Sequence, residues 1–346
     1  MPYRFKIDEP VEKGFRRIAR EQVDAALQEL AAPEVEPKGV HECRKSLKRL
    51  RALVRLAASA LGNDKARKRT SALGEIAQLL AGRRDQAVMR DTLQKLLAET
   101  GPDGAPTLAP LNAHFAESLS DAQQPLDPGC AAKARLMLLR EAKKFSRARI
   151  RKRGFVALEG GLEKSYRHAR KALKIAYSEP ADETFHTLRK SVQWHWRQMS
   201  LLARSWPEEF AVRVTAAREL SQILGDDHDL ALLIAATIKA DDISSDQKEA
   251  IVELCRRKQQ TLRAAAEFRA ERLFAETPRA FVKRMAKYWK FGSTMRASEI
   301  APAARPIEPQ GVPIAAPDTH HDIKPVVAKP RIAAQAATAA PSQRRA

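Results

Sequence analysis

VHECRKSLKRLRALVR, residues 40–55, carries two stripes when it is placed on an α-helix at about 100° per residue. The first stripe is apolar, recurs at spacings of three and four, and continues past the stretch: Cys43, Leu47, Leu50, Val54, Ala57 and Leu61. Such a stripe is typical of a helix that buries one face against other helices. The stretch therefore predicts an amphipathic helix in the core of the protein.

The second stripe is basic and lies on another face of the same helix: His41, Arg44, Lys48, Arg51 and Arg55. Lys45 and Arg49 widen it, and it runs for about 21 Å at about 1.5 Å per residue. Like charges at these spacings repel one another, and a polyanion would relieve that repulsion. A solvated face usually carries carboxylates at i,i+4, but Glu42 is the one acidic residue of the stretch, which favours a binding face.

The whole chain is strongly basic. Its 346 residues include 62 Lys+Arg against 42 Asp+Glu, a formal net charge of +20. This charge admits nucleic acid, an anionic membrane surface or another polyanion as the partner. The unbalanced basic runs are residues 41–55, 143–153 and 167–174. No uninterrupted run of 18 apolar residues is present, so no transmembrane helix is expected.

The N-terminus and the cysteines indicate the compartment. The N-terminal sequence MPYRFKIDEPVEKGF lacks the apolar region of a secretory signal. The three cysteines, Cys43, Cys130 and Cys255, have unrelated spacings and form no CxxC pair, which fits reduced thiols in a core and disfavours a metal site. We therefore expect a cytoplasmic protein.

Helical periodicity recurs over residues 9–291, interrupted at glycines and prolines. No stretch alternates as a half-buried strand does, so the predicted fold class is all-α. A loop is predicted at 101–106, and a long helix at 130–152. Gly225 is predicted to end one helix, and Asp227 to cap the next.

Two further helix starts are predicted from capping boxes, Ser205–Glu208 and Ser244–Gln247. The chain divides into a first helical half at residues 1–153, a second at 154–291 and a tail at 292–346. Eight of the 20 prolines of the chain lie in this tail, mixed with alanine. We expect the tail to be disordered, because it cannot bury enough apolar surface to order itself.

The two halves share an internal repeat. His41-Glu-Cys-Arg-Lys recurs as His186-Thr-Leu-Arg-Lys at an offset of 145 residues. Downstream, Leu80-Ala-Gly-Arg-Arg-Asp matches Leu224-Gly-Asp-Asp-His-Asp at an offset of 144. Two matches at nearly the same offset indicate two related helical halves.

These motifs resemble the CHAD family, the conserved histidine α-helical domain. The resemblance covers about residues 5–290 and rests on HxxRKxxKRLR in the first half, HxxRKxxxxHW in the second, and three further segments: GLEKSYRHARKAL, LGDDHDLALL and AERLFAETPRAFVKRM. It implies two four-helix bundles related by a pseudo-twofold axis, with a basic groove or channel between them. It also implies binding of inorganic polyphosphate and association with polyphosphate granules.

The predicted polyphosphate-binding residues combine the two HxxRK faces with basic residues placed by helical facing alone. They are His41, Arg44, Lys45, Lys48, Arg51, Arg55, Arg140, Lys143, Arg147, Arg167, Arg170, Lys174, His186, Arg189, Lys190, Arg197 and Arg263. The second half departs from the family pattern at Gln193, where the first half has Lys48, and Arg197 one turn on is the expected substitute.

No catalytic residue, metal site or cofactor is predicted, because no nucleophile shares a motif with a base and no glycine-rich phosphate loop is present. The expected activity is binding. His41 and His186 are open to two interpretations, a phosphate-oxygen donor or a structural histidine. His228 stands in Asp-Asp-His-Asp, which is compatible with a metal cluster and more typical of a helix start.

The main alternative is a helical nucleic-acid-binding protein, because basic stripes also fit an RNA or DNA backbone. Trp194 could then stack a base, whereas Trp196 and His195 fall near the apolar seam and are expected in the core. Aromatic residues make up 5% of the chain, which is low for a protein that stacks bases. A scaffold at the granule surface is a third possibility.

Overall fold

The computed structural model describes residues 3–80, 84–117 and 125–294, with side chains from 88 to 115 in the middle range. The described part is all-α, as predicted, with one isolated β-bridge between Val35 and Leu126 and no strand ladder. Its helices are α1 (Val11–Glu29), α2 (Pro37–Leu56), α3 (Ala58–Leu61), α4 (Asn63–Leu79), α5 (Arg84–Glu117), α6 (Pro128–Ser146), α7 (Val156–Ser178), α8 (Asp182–Leu202), α9 (Pro207–Lys239), α10 (Ser245–Leu273) and α11 (Pro278–Thr294). All but the first residues of the predicted tail lie outside the described ranges.

The apolar stripe of α2 is the centre of the main core. Cys43, Leu47, Leu50 and Val54 are fully buried, as the spacing predicts. Helix α2 packs on α1 and α4 on one side and on α7 and α8 on the other. Each buried leucine contributes about 1.5–3 kcal/mol relative to an exposed one, so this stripe fixes the orientation of α2 and of its basic face.

A second apolar core lies apart from the first. Helix α5 contributes Leu93, Leu108 and Leu111, and they pack with Leu233 of α9 and Ile251 of α10. Helix α5 belongs to the first half of the chain, but its main packing partners belong to the second. The pseudo-twofold relation of two bundles and the boundary between them remain predictions.

Helix α5 also corrects the predicted loop at 101–106. The segment continues as helix after a kink at Gly101, whose φ of 60° and ψ of −154° are non-helical. Glycine tolerates this positive φ because it has no Cβ. The chain reverses at this kink, because Gln94 Nε2 donates to Asn112 Oδ1 at 3.2 Å, so the helical pieces before and after Gly101 lie side by side. All three prolines of α5 follow the kink.

Helix α9 corrects a second prediction, because it runs without a break through Gly225 and Asp227. Gly225 is buried inside the helix, and a Cβ added there would lie 3.8 Å from Arg189 Nε, which is ordinary contact. The packing of α9 on α8 and α10 outweighs the poor helix propensity of a single glycine, which costs about 1 kcal/mol.

Of the two predicted capping boxes, the structure has the one at Ser244 and lacks the one at Ser205. Ser244 is confirmed: its Oγ accepts a hydrogen bond from Gln247 N at 3.4 Å, and Gln247 Oε1 accepts one from Ser244 N at 3.2 Å. Ser205 is wrong as a cap, because its Oγ donates to Leu202 O at 2.7 Å and α9 begins two residues later, at Pro207. Helix α6 ends at Ser146, short of the predicted end at 152.

Candidate anion-binding groove

A cavity of about 320 Å³ lies where α2, α8 and α9 meet. It brings together both HxxRK motifs, since the packing of α2 on α8 turns their basic faces toward one space. Its lining residues are Arg44, Lys48, Arg51, Val88, His186, Arg189, Lys190, Gln193, Trp194, Arg197, His228, Asp229 and Leu232. Six of them are lysine or arginine and one is a carboxylate, so the cavity is strongly cationic.

Two of the arginines are held in place by backbone carbonyls. Arg44 Nη1 donates to Ala77 O at 2.8 Å, across from α2 to α4. Arg197 Nη1 donates to Gln193 O at 2.9 Å, and its guanidinium lies 4.4 Å from the centre of the Trp196 ring. A carbonyl carries no net charge, so these contacts orient the guanidinium groups without neutralising them.

Burial makes the positive charge of the cavity arginines less favourable. For this reason the pKa of Arg51 is lowered, and that of Arg197 is lowered to about 10. Arg197 remains protonated at neutral pH, since a pKa of about 10 lies well above 7. Partly desolvated positive charges of this kind interact strongly with an anion that enters the cavity.

Two imidazoles stack at the wall formed by α8 and α9. The rings of His186 and His228 lie 4.1 Å apart between centroids, with 29° between their planes. Burial lowers the pKa of both, and Lys190 and Arg189 lower it further; His228 falls to about 4. Both imidazoles are therefore neutral at pH 7 in the free protein.

A second cavity, of about 980 Å³, continues the first, because Arg51 and Trp194 line both. Its basic lining also includes Arg55, Arg67, Lys164, Arg167, His168 and Lys171, with Asp64 and Glu75 as the carboxylates. The Arg55 guanidinium lies 3.5 Å from the centre of the Trp194 ring, and burial together with Arg51 lowers the pKa of Arg55 to about 10. We call the two cavities together the groove.

The groove contains nine of the predicted binding residues. Seven line the first cavity: Arg44, Lys48, Arg51, His186, Arg189, Lys190 and Arg197. Arg55 and Arg167 line the second. The others line neither cavity: His41, Lys45, Arg140, Lys143, Arg147, Arg170, Lys174 and Arg263. Gln193 and Arg197 both line the first cavity, and the substitution of Arg197 for the missing basic residue remains a prediction.

Some of these outlying residues have partners within the fold. Lys45 pairs with Glu42 at 3.0 Å, and Arg170 Nη1 donates to Ala275 O at 3.1 Å. Arg263 is held by two carboxylates, with Nε 2.6 Å from Asp227 Oδ1 and Nη2 2.6 Å from Asp182 Oδ1. His41, Arg140, Lys143 and Lys174 are exposed. Polyphosphate contact by these residues remains a prediction.

His228 is a groove residue that the sequence did not predict. A helix start at Asp227, as predicted, gave no reason to place His228 in the groove. In the structure Asp227 is buried in the middle of α9 and forms an ion pair with Arg263. A continuous helix through Gly225 would have placed His228 one residue after the buried Asp227, on the side toward α8. The described residues include no group of three or more His, Cys, Asp or Glu that could hold a metal ion.

The remaining sequence predictions concern the core. His195 is 2% exposed, as expected for a core histidine, and burial lowers its pKa to about 3. Trp196 is only partly buried. Cys43 and Cys255 are buried free thiols, whereas Cys130 is partly exposed. None of the described helices is long and apolar enough to cross a membrane.

Comparison with known proteins places the chain in a family. Among solved structures, the chain is similar to PptA from Streptomyces chartreusis, with 16% identity and a TM-score of 0.49 over 77% of this chain and 98% of that one. No curated protein matches the chain. The family model of the CHAD domain matches residues 17–237, from within α1 almost to the end of α9, which is more than half of the chain. The chain therefore belongs to the CHAD domain family, as its HxxRK motifs predict.

Proposed function

We propose that the protein binds inorganic polyphosphate in the groove. The observation that carries the proposal is the convergence of both HxxRK faces on one cavity that holds six lysines or arginines against one carboxylate. Arginine and lysine bind non-bridging phosphate oxygens through charge-assisted hydrogen bonds, and arginine can span two oxygens. Membership of the CHAD family supports the proposal, because polyphosphate binding is what that resemblance implies.

The lining favours a phosphate chain over nucleic acid. A protein that binds single strands stacks bases on aromatic rings. Trp194 is the one Trp, Tyr or Phe among the described residues of the first cavity, and the Arg55 guanidinium already lies against a face of its ring. The arginines and lysines of α2 and α8 instead flank a narrow space from two sides, which suits a thin, densely charged polymer without bases.

The proposed activity is binding without catalysis. Among the described residues, the lining of the first cavity includes no serine, threonine or cysteine, and the hydroxyl side chains of the groove, Thr70, Ser71 and Ser165, belong to the second cavity. Its cations hold phosphate, and the proposed site of action is the polyphosphate granule of the cytoplasm.

Competition between polyanions tests the proposal. Labelled long-chain polyphosphate is bound at about 150 mM salt, where the Debye length is about 8 Å, and is displaced by unlabelled polyphosphate, RNA, duplex DNA or heparin. We expect polyphosphate to compete at a phosphate concentration about tenfold lower than RNA, roughly 1.4 kcal/mol. Equal displacement by RNA at matched phosphate would show a general polyanion-binding protein instead.

The stacked histidines predict a pH dependence. Polyphosphate beside His186 and His228 raises their pKa values, so binding takes up protons, and the affinity increases as the pH falls toward the lowered pKa values of the free protein. The charges that act on this pair are Arg189 and Lys190, which lower the pKa values, and Glu183 and Asp182, which raise them. We expect binding about tenfold tighter at pH 5.5 than at pH 7.5.

A titration of affinity against pH with the double variant His186→Gln/His228→Gln measures this effect. The variant should bind with a nearly flat profile over the same range. A variant whose profile follows the wild type would assign the pH dependence to other groups and leave the two histidines a structural role.

A further inference from the structure

A third basic cavity, separate from the groove, lies between α4 and the chain that follows α6. Its volume is about 420 Å³, and its lining is Leu61, Lys65, Arg69, Lys144, Arg147, Ala148, Arg149 and Arg151. Six of these residues are basic and none is acidic. We call this cavity the α4–α6 cleft.

One wall of the cleft is a segment with alternating burial. After α6 ends, Ala148 and Ile150 are 3% and 7% exposed, whereas Arg147, Arg149 and Arg151 are exposed. Period-two burial points alternate side chains to the same side, about 6.6 Å apart when the chain is extended. All three arginines line the cleft, so this segment presents three positive charges to it.

Helix α1 fixes the backbone of this segment. Arg16 Nε donates to Ala148 O at 2.7 Å, and Ile150 N donates to Glu12 Oε2 at 2.7 Å. Glu12 and Arg16 also pair with each other at 2.7 Å. The arginines are thus carried by an anchored segment, which lowers the conformational entropy lost when they bind a ligand.

Arg69 forms the opposite wall and is itself held in place. Its guanidinium lies 5.0 Å from the centre of the Phe145 ring, and its Nη2 donates to Lys144 O at 2.8 Å. The buried carboxylate of Glu141 lies 3.8 Å from Arg69 Nη1 and 2.6 Å from Lys144 Nζ. Two cations thus share one carboxylate, so most of the positive charge of the cleft is not balanced within it.

Helix α4 separates the cleft from the groove. Lys65 and Arg69 face the cleft, whereas Arg67, Ser71 and Gly74 face the second cavity of the groove. At about 100° per residue these two sets lie on nearly opposite sides of α4, whose diameter with side chains is about 10 Å. The cleft and the groove share no lining residue.

We propose that the α4–α6 cleft is a second polyphosphate site, so that one protein molecule holds two polyphosphate chains, or two distant parts of one chain, and bridges them. The proposal rests on the function proposed for the groove. A phosphate chain is the favoured ligand because the described lining of the cleft includes no aromatic ring, and the Phe145 ring beneath Arg69 is buried and therefore unable to stack a base.

A sandwich assay tests the bridge. Polyphosphate is immobilised on a surface, the full-length protein is bound to it, and fluorescent polyphosphate or fluorescent RNA is then added. We expect the wild type to capture the second polyphosphate. Arg149→Gln/Arg151→Gln should bind the surface within about threefold of the wild type but lose at least about four fifths of the capture. A second cleft variant, Lys65→Gln/Arg147→Gln, removes one positive charge from each wall and should lose capture in the same way.

The control Lys133→Gln/Arg279→Gln removes the same charge from exposed positions of α6 and α11 and should keep full capture. Full capture by both cleft variants would overturn the inference and leave the groove as the binding site. Capture of RNA in place of polyphosphate would overturn the ligand assignment. Loss of capture together with a change of oligomeric mass in light scattering would also overturn the bridge. A wild type that fails to bind the surface would instead refute the function proposed for the groove.

Discussion

Reversing the charges of Lys48 and Arg189 together is expected to weaken polyphosphate binding by about a hundredfold, roughly 2.7 kcal/mol. The two residues lie on α2 and α8 and line the same cavity, so Lys48→Glu/Arg189→Glu changes both walls at once. Arg44 is left unchanged because its guanidinium also donates to Ala77 O and supports the packing of α2 on α4. A new carboxylate at each position both removes an attraction and adds a repulsion.

The salt dependence distinguishes weaker phosphate binding from unfolding of the protein. The slope of log K against log salt should become shallower by about 0.7 for each phosphate that the variant no longer neutralises, if polyphosphate behaves like a single strand. Lys133→Glu/Arg279→Glu makes the same change of net charge at exposed positions outside the cavities and should retain the slope. Circular dichroism should show the same helix content for both double variants.

The single variants test whether both halves hold one chain. If Lys48 and Arg189 contact the same ligand, their effects should couple and differ from a simple sum. Lys48→Glu should cost more, because the second wall already carries Gln193 at the corresponding position. An Arg189→Glu variant with unchanged affinity and unchanged salt slope would show that α2 alone binds polyphosphate.

The parts of this site that the sequence predicts are those with a local pattern. The apolar and basic stripes of α2 follow from spacing within one helix, and the repeat of His41 at His186 transfers the same pattern to α8. The meeting of Arg44 and Arg189 in one cavity then requires only that two amphipathic helices pack side by side.

Helical facing alone does not show which element covers a face. Arg263 has a favourable facing on α10, but its guanidinium is held by Asp182 and Asp227, which are far away in sequence. Arg147 lies after the end of α6 rather than within a helix, and it lines the α4–α6 cleft. Such assignments depend on long-range packing, which no periodicity within one segment contains.

Long-range packing also gives the two copies of the repeated histidine different surroundings. His41 is exposed, whereas His186 is half-buried against His228 of α9. The repeat predicts equivalent positions along two helices, but the neighbours at those positions differ. The stacked imidazoles therefore depend on the unbroken course of α9 through Gly225, where the sequence indicated a helix end.

Replacing Gly161 by alanine is expected to destabilise the protein by roughly 3 kcal/mol, or about 6–12 °C in Tm. Gly161 is a buried residue of α7, and a Cβ added there would lie inside van der Waals contact with the backbone carbonyl oxygens of Arg55 and Leu56. Backbone at the end of α2 cannot rotate away as a flexible side chain can. The two helices must therefore separate, and the core between α2 and α7 packs less tightly.

Gly74→Ala is the matched control, because Gly74 lies within α4 and has no heavy atom within 4 Å of an added Cβ. Alanine is the better helix former by about 1 kcal/mol, so this variant should be more stable than the wild type. Thermal unfolding followed by circular dichroism compares the two. Changes in Tm of opposite sign for the two variants would show that the close approach of α7 to α2, rather than helix propensity, requires glycine at 161.

Since α2 carries Arg51 and Arg55 and α7 carries Arg167, the same approach sets the width of the second cavity of the groove. A Gly161→Ala variant as stable as the wild type would show that α7 can shift at no cost in stability, and this cavity would then be an adaptable space instead of a fixed one.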